Sequence, residues 1–323
     1  MEQSCEMRWG RGRVPHGFWD EKENRLAYLQ WLGLKLGMQC PEDWYAIQRQ
    51  HFIRNYGGGL LGVWYRDSPQ AAVRELLPDY PWRPWLFKRT PQGYWTSAEN
   101  RRAYMKWLTR KLKFRRRDDI YGLSKQDFTE NGGAGLLGNH YDWSVVAAVR
   151  EFRPSMNLHE WKFNSVPQGF WNVAENRERY MDWLGERLRI RTPELWYRIS
   201  GKDIEQNYGG TLLTRFGGSV YRMVEDFQPH FDWKPWLFES TPSGYWGVLE
   251  NRQQYLHWLG AQVNFKRPYD WYDLHGSHFY RTGAGQLYTH VYRYSLLSAV
   301  QERYPNFNWK AERFGQAIAS SGV

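Results

Sequence analysis

The pattern of apolar and polar positions has the period of an α-helix and returns four times along the chain. Each occurrence places an aromatic residue at i, a tryptophan at i+3 and aliphatic residues at i+4 and i+8, which is one face of a helix of about 16 residues. The four stripes are Tyr28, Trp31, Leu32, Leu36; Tyr104, Trp107, Leu108, Leu112; Tyr180, Trp183, Leu184, Leu188; and Tyr255, Trp258, Leu259, Val263. Capping boxes are predicted before them: Asp20 with Glu23, Thr96 with Glu99, Asn172 with Glu175, and a weaker Gly247 with Glu250.

Shorter helices are predicted after each stripe. Ser124 with Asp127 and Ser200 with Asp203 have the spacing of caps for a second helix. This helix ends at glycine-rich turns whose glycines suit positive φ, namely Asn55-Tyr-Gly-Gly, Asn131-Gly-Gly and Asn207-Tyr-Gly-Gly. A leucine pair follows, and the last helix is predicted between a serine N-cap and a proline: Ser68 to Pro78, Ser144 to Pro154, Ser219 to Pro229 and Ser295 to Pro305.

Tryptophan spacing divides the chain into repeats. Trp19, Trp95, Trp171 and Trp246 are 76, 76 and 75 residues apart, and five such columns hold 18 of the 20 tryptophans. We therefore predict an all-α, helix-turn-helix-like tandem array of four homologous modules of about 76 residues. The predicted boundaries are an N-terminal tail 1–8, modules 9–84, 85–160, 161–235 and 236–309, and a C-terminal tail 310–323. Residues 317–323 are expected to be disordered.

The segment Leu212-Leu-Thr-Arg-Phe-Gly-Gly-Ser-Val-Tyr-Arg-Met-Val224 resembles the helical repeat associated with HNH and homing endonucleases, with weaker versions at 66–73 and 141–149. That repeat has a long helix, a short helix, an aromatic-Gly-Ser turn and a closing helix. The resemblance covers each module in outline and implies a DNA-binding accessory module without catalysis of its own. The modules here are longer and richer in tryptophan, and no HNH nuclease signature accompanies them.

Charge favours a polyanionic partner and is concentrated in one module. The 323 residues contain 44 basic and 34 acidic residues, for a net charge of +10, of which the modules carry +2, +6, +1 and +1. The run in the second module consists of Lys106, Arg110, Lys111, Lys113, Arg115, Arg116 and Arg117. Such a run is typical of a solvated face, a nuclear-localisation patch or a phosphate-binding stripe. The basic segment 187–191, which includes Arg189 and Arg191, favours nucleic acid.

An Asn-Arg pair recurs in the first turn of each long helix, where the helix dipole disfavours a positive charge. The arginines are Arg25, Arg101, Arg177 and Arg252. Each needs a partner, which is either an acid or carbonyl of the neighbouring module or a nucleic-acid phosphate. The sequence leaves this choice open.

Aromatic residues are expected mainly in the cores, because modules of this size bury little surface and large side chains compensate. Trp64 and Trp143 are the two tryptophans outside the columns. A second hypothesis, stacking on the bases of a single strand, applies to Tyr45, Tyr121, Tyr197 and Tyr272.

Signatures of catalysis, cofactors and metals are missing from the sequence. There is no P-loop, nucleophile elbow or dinucleotide fingerprint, and the Asn-Gly-Gly turns lack the Lys-Ser/Thr of a phosphate cradle. If the chain had a catalytic site, His275 and His278 of the fourth copy would be its place. A zinc site there is not expected, because zinc needs about four ligands and no third or fourth ligand is obvious nearby. Cys5 and Cys40 make no disulfide framework, and no apolar run is long enough for a membrane span.

We therefore predict a non-enzymatic, intracellular protein that binds nucleic acid, duplex DNA before RNA, and that lies in the nucleus or nucleoid. Phosphate contacts are expected from the basic residues named above, and groove contacts from the short helix, the Gly-Gly turn and the Leu-Leu helix. Candidate contacts in or beside that region are Arg54, Arg66, Arg198, Arg215 and Arg222. The alternative is a protein-interaction scaffold. A basic stripe over all modules would favour nucleic acid, and a basic patch on the second module beside an apolar groove would favour the scaffold.

Overall fold

The computed structural model describes residues 9–10 and 14–314, and within them every regular element is helical. The all-α prediction is confirmed for these residues, whereas the predicted disorder of 317–323 falls outside them. Two compact units are present, residues 1–167 and 168–323. No helix in the described ranges combines the length and apolar character needed to cross a membrane. We call 9–84, 85–160, 161–235 and 236–309 segments 1 to 4; residues 161–167 belong to the first unit.

The first unit contains eight α-helices among its described residues. They are α1 (Lys22–Lys35), α2 (Arg49–Ile53), α3 (Gly58–Tyr65), α4 (Pro69–Leu76), α5 (Ala98–Lys111), α6 (Lys125–Glu130), α7 (Ala134–Tyr141) and α8 (Val145–Phe152). Short 3-10 helices lie between them at Phe18–Asp20, Pro41–Ala46, Pro84–Leu86, Tyr94–Thr96, Arg117–Gly122 and Glu160–Lys162.

The second unit continues the same order of elements. Its α-helices are α9 (Ala174–Leu188), α10 (Gly201–Gln206), α11 (Gly210–Arg215), α12 (Val220–Phe227), α13 (Leu249–Gln262), α14 (Gly276–Arg281) and α15 (Leu296–Arg303). A π-helix, Leu287–Val291, stands where segments 1 to 3 have an α-helix after the glycine-rich turn. The 3-10 helices are Phe170–Asn172, Pro193–Arg198, Pro235–Leu237, Tyr245–Gly247, Pro268–Asp273 and Ala311–Arg313.

The long helices begin one residue later than the predicted capping boxes. Asp20, Thr96 and Asn172 each end a 3-10 helix, and the N-cap is the next residue, of which only Ser97 accepts a backbone N–H through its side chain. The capping-box prediction is therefore wrong. The Asn of the recurring Asn-Arg pair fixes this start instead, because its side-chain amide donates to a carbonyl of the 3-10 helix. The bonds are Asn24 to Phe18 O, Asn100 to Tyr94 O, Asn176 to Phe170 O and Asn251 to Tyr245 O.

The predicted caps of the second and closing helices are confirmed. Ser124 and Ser200 accept the N–H of Asp127 and Asp203, whose carboxylates accept the serine N–H in return. Histidine replaces the acid elsewhere: His51 Nδ1 accepts from Gln48 N at 3.2 Å, and His278 Nδ1 accepts from His275 N at 3.0 Å. The closing helices start at Ser68, Ser144, Ser219 and Ser295, each of which accepts the N–H three residues on.

A fully buried tyrosine lies at the centre of each segment and explains one glycine of the turn. Tyr28, Tyr104, Tyr180 and Tyr255 are 0% exposed. A Cβ at Gly57, Gly133 or Gly209 would lie 2.1 Å from the hydroxyl of the first three. These glycines have φ near −95°, and the positive φ falls one residue earlier, at Tyr56, Gly132 and Tyr208. Gly57, Gly133 and Gly209 are thus required by close approach to the tyrosine, which corrects the prediction of positive φ for them, whereas Gly132 has the predicted positive φ, 76°.

Aromatic columns form the cores, as predicted. All 18 tryptophans of the columns are buried or half-buried, whereas Trp64 and Trp143 are exposed. In the first unit Trp85 packs in the core of segment 2, and Phe87, two residues later, packs in the core of segment 1. The linker between these segments is therefore part of both cores.

Protonation of His278 should weaken the fourth segment in mild acid. Burial, together with the positive charges of His275 and Arg281, lowers the pKa of His278 from its ordinary 6.5. The unfolded chain therefore takes up this proton at a higher pH than the folded chain. The His278 cap therefore contributes its full stabilisation above pH 6.5. As the pH drops below 6.5, the free energy of unfolding falls by up to about 1 kcal/mol, the usual contribution of a helix cap.

Urea unfolding of wild type and His278→Asp between pH 5 and 7.5 measures this effect. Aspartate occupies the equivalent positions 127 and 203, and hydrogen bonds from Ser200 lower the pKa of Asp203, so the variant keeps an ionised acceptor at pH 5. The loss between pH 6.5 and 5 should be smaller in the variant. An identical pH dependence of the two proteins would contradict the capping role.

Candidate nucleic-acid interface

The four recurring arginines connect elements within one segment. Arg101 donates through Nη1 to Trp95 O and Thr96 O, both at 2.8 Å, and through Nε to Glu151 of the closing helix at 2.8 Å. The equivalent contacts are Arg25 with Trp19 O, Asp20 O and Glu75; Arg177 with Trp171 O, Asn172 O and Asp226; and Arg252 with Trp246 O, Gly247 O and Glu302. The acid thus belongs to the same segment and not, as proposed from the sequence, to its neighbour.

A tyrosine completes this contact in three segments. Tyr65, Tyr141 and Tyr292 donate to Glu75, Glu151 and Glu302 at 3.2, 2.9 and 2.9 Å. In segment 3 phenylalanine, Phe216, replaces the tyrosine, and the shorter Asp226 makes two hydrogen bonds with Arg177 at 2.8 and 3.3 Å. We call each set of arginine, carbonyls, acid and tyrosine (where present) the Arg–acid contact.

In two of the Arg–acid contacts the surroundings favour the charged form of Glu151 and of Arg252. Burial raises the pKa of Glu151, but hydrogen bonds from Arg101 and Tyr141 outweigh it, so this pKa lies below its ordinary value. The hydrogen bond to Glu302 raises the pKa of Arg252. Burial, followed by the charge of Glu75, raises the pKa of Tyr65 to about 12, which keeps its hydroxyl a donor. Because Arg25, Arg101, Arg177 and Arg252 are engaged in this way, we leave them out of the interface proposed below.

The basic run of segment 2 largely lines one cleft of about 730 Å³. Its cationic residues are Lys106, Arg110, Arg115, Arg116, Arg117 and Arg153, and its apolar residues include Phe114, Ile120, Phe152 and Met156. All six cations are exposed. Arg116 pairs with Asp119 at 3.2 Å, and the other five have no carboxylate partner among the described residues. We call this the basic cleft.

Local structure explains which members of the run reach the basic cleft. Asp119 accepts the backbone N–H groups of Arg115 and Arg116 at 2.7 and 2.8 Å, which fixes the loop that carries them and holds the pKa of Asp119 below its ordinary value. Lys113 has φ 58° and ends the helix, while the Lys111 ammonium lies 5.2 Å from the Trp107 ring centroid. Lys111 and Lys113 do not line the cleft.

Arg153 is the member that the sequence did not reveal. It is the C-cap residue of α8, far along the chain from the α5 cations. Only the packing of α8 beside α5 brings it to the basic cleft, so a search for runs of charge has no signal for it.

The equivalent cleft of segment 3, about 580 Å³, has mixed charge. Asp182, Glu186 and Gln228 stand there in the positions of Lys106, Arg110 and Arg153. Arg189 and Arg191, two of the predicted contacts in this segment, line it beside the two acids. A cleft therefore recurs at this place in both segments while the charge changes sign at two positions, so no requirement of the fold explains the cations of segment 2.

Two positions at the base of the basic cleft, one on the long helix and one facing it, differ between segments in compensating ways. A Cβ on Gly33 would lie 2.7 Å from the Trp44 ring, and a Cβ on Gly260 would lie 2.8 Å from the Trp271 ring. Segment 2 has Thr109 and Ile120 at these two positions, and the Thr109 hydroxyl donates to Met105 O at 2.9 Å. A larger residue on the helix and a smaller one opposite it preserve the packing.

The five arginines predicted as groove contacts lie at the surface. Arg54, Arg66, Arg198, Arg215 and Arg222 are all exposed. Arg66 has φ 48°, and Arg215 donates to Asn172 Oδ1 at 2.6 Å. None of the five lines the two clefts described above.

A left-handed turn precedes every closing helix and exposes large side chains. Two consecutive residues have positive φ at Arg66-Asp67, Asp142-Trp143, Gly217-Gly218 and Arg293-Tyr294. Side chains other than glycine cost about 1–2 kcal/mol per residue in this conformation, and only segment 3 has the glycines. Nine of the 14 large apolar residues that are exposed in the described ranges lie between the second helix and this turn: Ile53, Tyr56, Val63, Trp64, Trp143, Tyr208, Tyr280, Val291 and Tyr294. Strain retained at an exposed turn is typical of binding surfaces.

The tyrosines considered for base stacking have a structural role. Tyr45, Tyr121, Tyr197 and Tyr272 are buried or half-buried, and each hydroxyl accepts a backbone N–H from the chain that follows the closing helix. The donors are Arg83, His159, Lys234 and Lys310, at 3.0, 3.1, 2.9 and 2.9 Å. They hold this chain in place, which makes their ring faces poor candidates for stacking.

His275 and His278 are accounted for by the cap of α14 described above. Among residues 9–10 and 14–314 no three His, Cys, Asp or Glu side chains are grouped as metal ligands.

No protein-family model, curated protein or solved structure that we compared with this chain matches it significantly. The resemblance to the endonuclease-associated repeat therefore stays a prediction from the residues that carry it.

Arg101 and Arg110 should differ sharply in their effect on stability. Arg101→Gln leaves two carbonyls without their donor and removes the guanidinium from the partly buried Glu151, which keeps only neutral Tyr141 as a hydroxyl donor, so we expect the free energy of unfolding to fall by about 2–4 kcal/mol. Arg110→Gln removes an exposed charge without a partner and should change it by less than about 0.5 kcal/mol. Urea unfolding followed by tryptophan fluorescence measures both, and equal effects would contradict the assignment of separate roles.

Proposed function

We propose that the chain is a tandem array of four homologous modules, segments 1 to 4, and that it binds nucleic acid, duplex DNA in the first place, without catalysing a reaction. The recurrence of helix order, buried tyrosine and Arg–acid contact supports the array. The basic cleft carries the functional proposal, because six cations converge there and five of them lack a carboxylate partner in the described chain. Nuclear or nucleoid localisation follows from this function.

Backbone phosphates are the groups that the basic cleft fits best. Duplex DNA carries one negative charge per ~1.7 Å of its axis, so a cleft of this size faces several phosphates at once. Lysine and arginine neutralise phosphates and release their counterions, which gives affinity without reading sequence. Arg66, Trp143 and Tyr294 of the left-handed turns are the side chains that differ between modules, and we assign base contacts to them.

A protein-interaction scaffold is the second candidate, and two observations favour it. The cation-rich cleft of segment 2 does not recur in segment 3, whose equivalent cleft contains Asp182 and Glu186. Exposed Val63, Trp64 and Tyr294 also offer apolar area for a partner protein.

Exchanging residues between the two clefts tests the DNA proposal. The variant K106D/R110E/R153Q gives segment 2 the residues of segment 3 at three exposed positions. Because each lost phosphate contact changes the slope of log K against log salt by about 0.9, we expect a wild-type slope near −5 and a variant slope smaller by about 3. Fluorescence anisotropy with a labelled duplex at several salt concentrations measures both slopes.

The reverse exchange D182K/E186R/Q228R is the matched control. It gives segment 3 a second basic cleft at the equivalent place and should strengthen binding. Equal slopes of log K against log salt for wild type and K106D/R110E/R153Q, or no duplex binding at low salt, would contradict the DNA proposal. The protein-interaction scaffold would then be the remaining candidate.

A further inference from the structure

A second polar cavity, of about 800 Å³, lies within the first unit where α2 and the start of α4 meet the linker 87–92. Its size is in the range of small-molecule sites. Ile47, Ile53 and Phe87 supply its apolar wall. Its charged residues are Arg49, Asp67, Lys88 and Arg89, and its amides come from Gln48, Gln50, Gln70 and Gln92. We call it the glutamine cavity.

Gln70 breaks the local pattern of the fold. The equivalent residues of the other segments are Val146, Tyr221 and Leu297. Gln70 is only 7% exposed, and its amide Nε2 donates to Arg89 O at 3.1 Å. Its Oε1 is buried and has no donor among the described residues. An unsatisfied buried acceptor is costly and rare, and a ligand that brings an N–H group would remove this cost.

Charge at the glutamine cavity suits a phosphate. Arg49 pairs with Asp67 at 2.8 Å, which leaves Lys88 and Arg89 as an excess of two positive charges. Both are exposed and have no carboxylate partner in the described chain; Lys88 donates to Gln48 Oε1 at 3.1 Å. A phosphate monoester carries close to two negative charges at neutral pH. The linkers after segments 2 and 3 have Asn164-Ser165 and Glu239-Ser240 at these positions, so neither of them carries the cation pair.

We propose that the glutamine cavity binds a nucleotide whose base carries an exocyclic amine. Lys88 and Arg89 hold the phosphate, the base lies against Ile53, and the amine donates to Gln70 Oε1. The inference stands on these residues and does not depend on the basic cleft. Such a nucleotide is either free in solution or unpaired within a strand.

Titration of the full chain with AMP and IMP tests the proposal, because IMP replaces the exocyclic amine by a carbonyl. We expect calorimetry to give about tenfold tighter binding of AMP, and Gln70→Val to remove this preference. Valine occupies the equivalent position 146, so the variant should unfold at the same or a higher temperature than wild type. K88N/R89S, which installs the residues found after segment 2, should weaken AMP and IMP alike.

Two further experiments distinguish a free nucleotide from one within a strand, and the glutamine cavity from the basic cleft. A duplex with one unpaired adenine, compared with the same duplex bearing an unpaired hypoxanthine, should show the Gln70-dependent preference if the nucleotide belongs to a strand; AMP alone shows it if the nucleotide is free. K106D/R110E/R153Q should leave the AMP affinity unchanged even if duplex binding is lost. Absence of the preference in both arms, or its survival in Gln70→Val, would overturn the glutamine cavity as a nucleotide site.

Discussion

The Arg–acid contact is the interaction on which each segment depends. One guanidinium satisfies two carbonyls at the end of a 3-10 helix and, through a carboxylate, joins the long helix to the closing helix. This joins three elements that are far apart in sequence, and it does so beside a buried tyrosine that excludes any side chain at the facing glycine in segments 1 to 3. A small domain with little core needs such a polar connection in addition to its tryptophans.

Because the Arg–acid contact and the buried aromatic residues hold each segment together, surface positions differ between segments without a change of fold. A cleft between the long and closing helices recurs in segments 2 and 3 while lysine and arginine give way to aspartate and glutamate. The left-handed turn keeps its backbone in all four segments, yet it carries glycine, arginine, aspartate, tryptophan or tyrosine. Charge and exposed apolar area therefore differ between segments that keep the same recurring residues.

Periodicity predicted the helices because apolar stripes and serine caps are local signals, and tryptophan spacing predicted which aromatic residues are buried. Periodicity and spacing could not predict the acidic partner of Arg101, because Glu151 comes near it only through the packing of the helices. Arg153 and Gln70 were missed for the same reason: neither belongs to a motif, and each acquires its meaning from side chains that approach through the fold. Gly132 has the predicted positive φ, but Gly57, Gly133 and Gly209 were assigned to the wrong cause, because a positive φ and a close approach both select glycine.

The measurement that tests the central claim most directly is a map of NMR chemical-shift changes upon addition of duplex DNA to the full chain. The account predicts that the changes centre on the basic cleft, at Lys106, Arg110, residues 115–117 and Arg153, and that Asp182, Glu186 and Gln228 stay unperturbed. Changes that leave the basic cleft untouched, or that affect the equivalent positions of segment 3 equally, would contradict it.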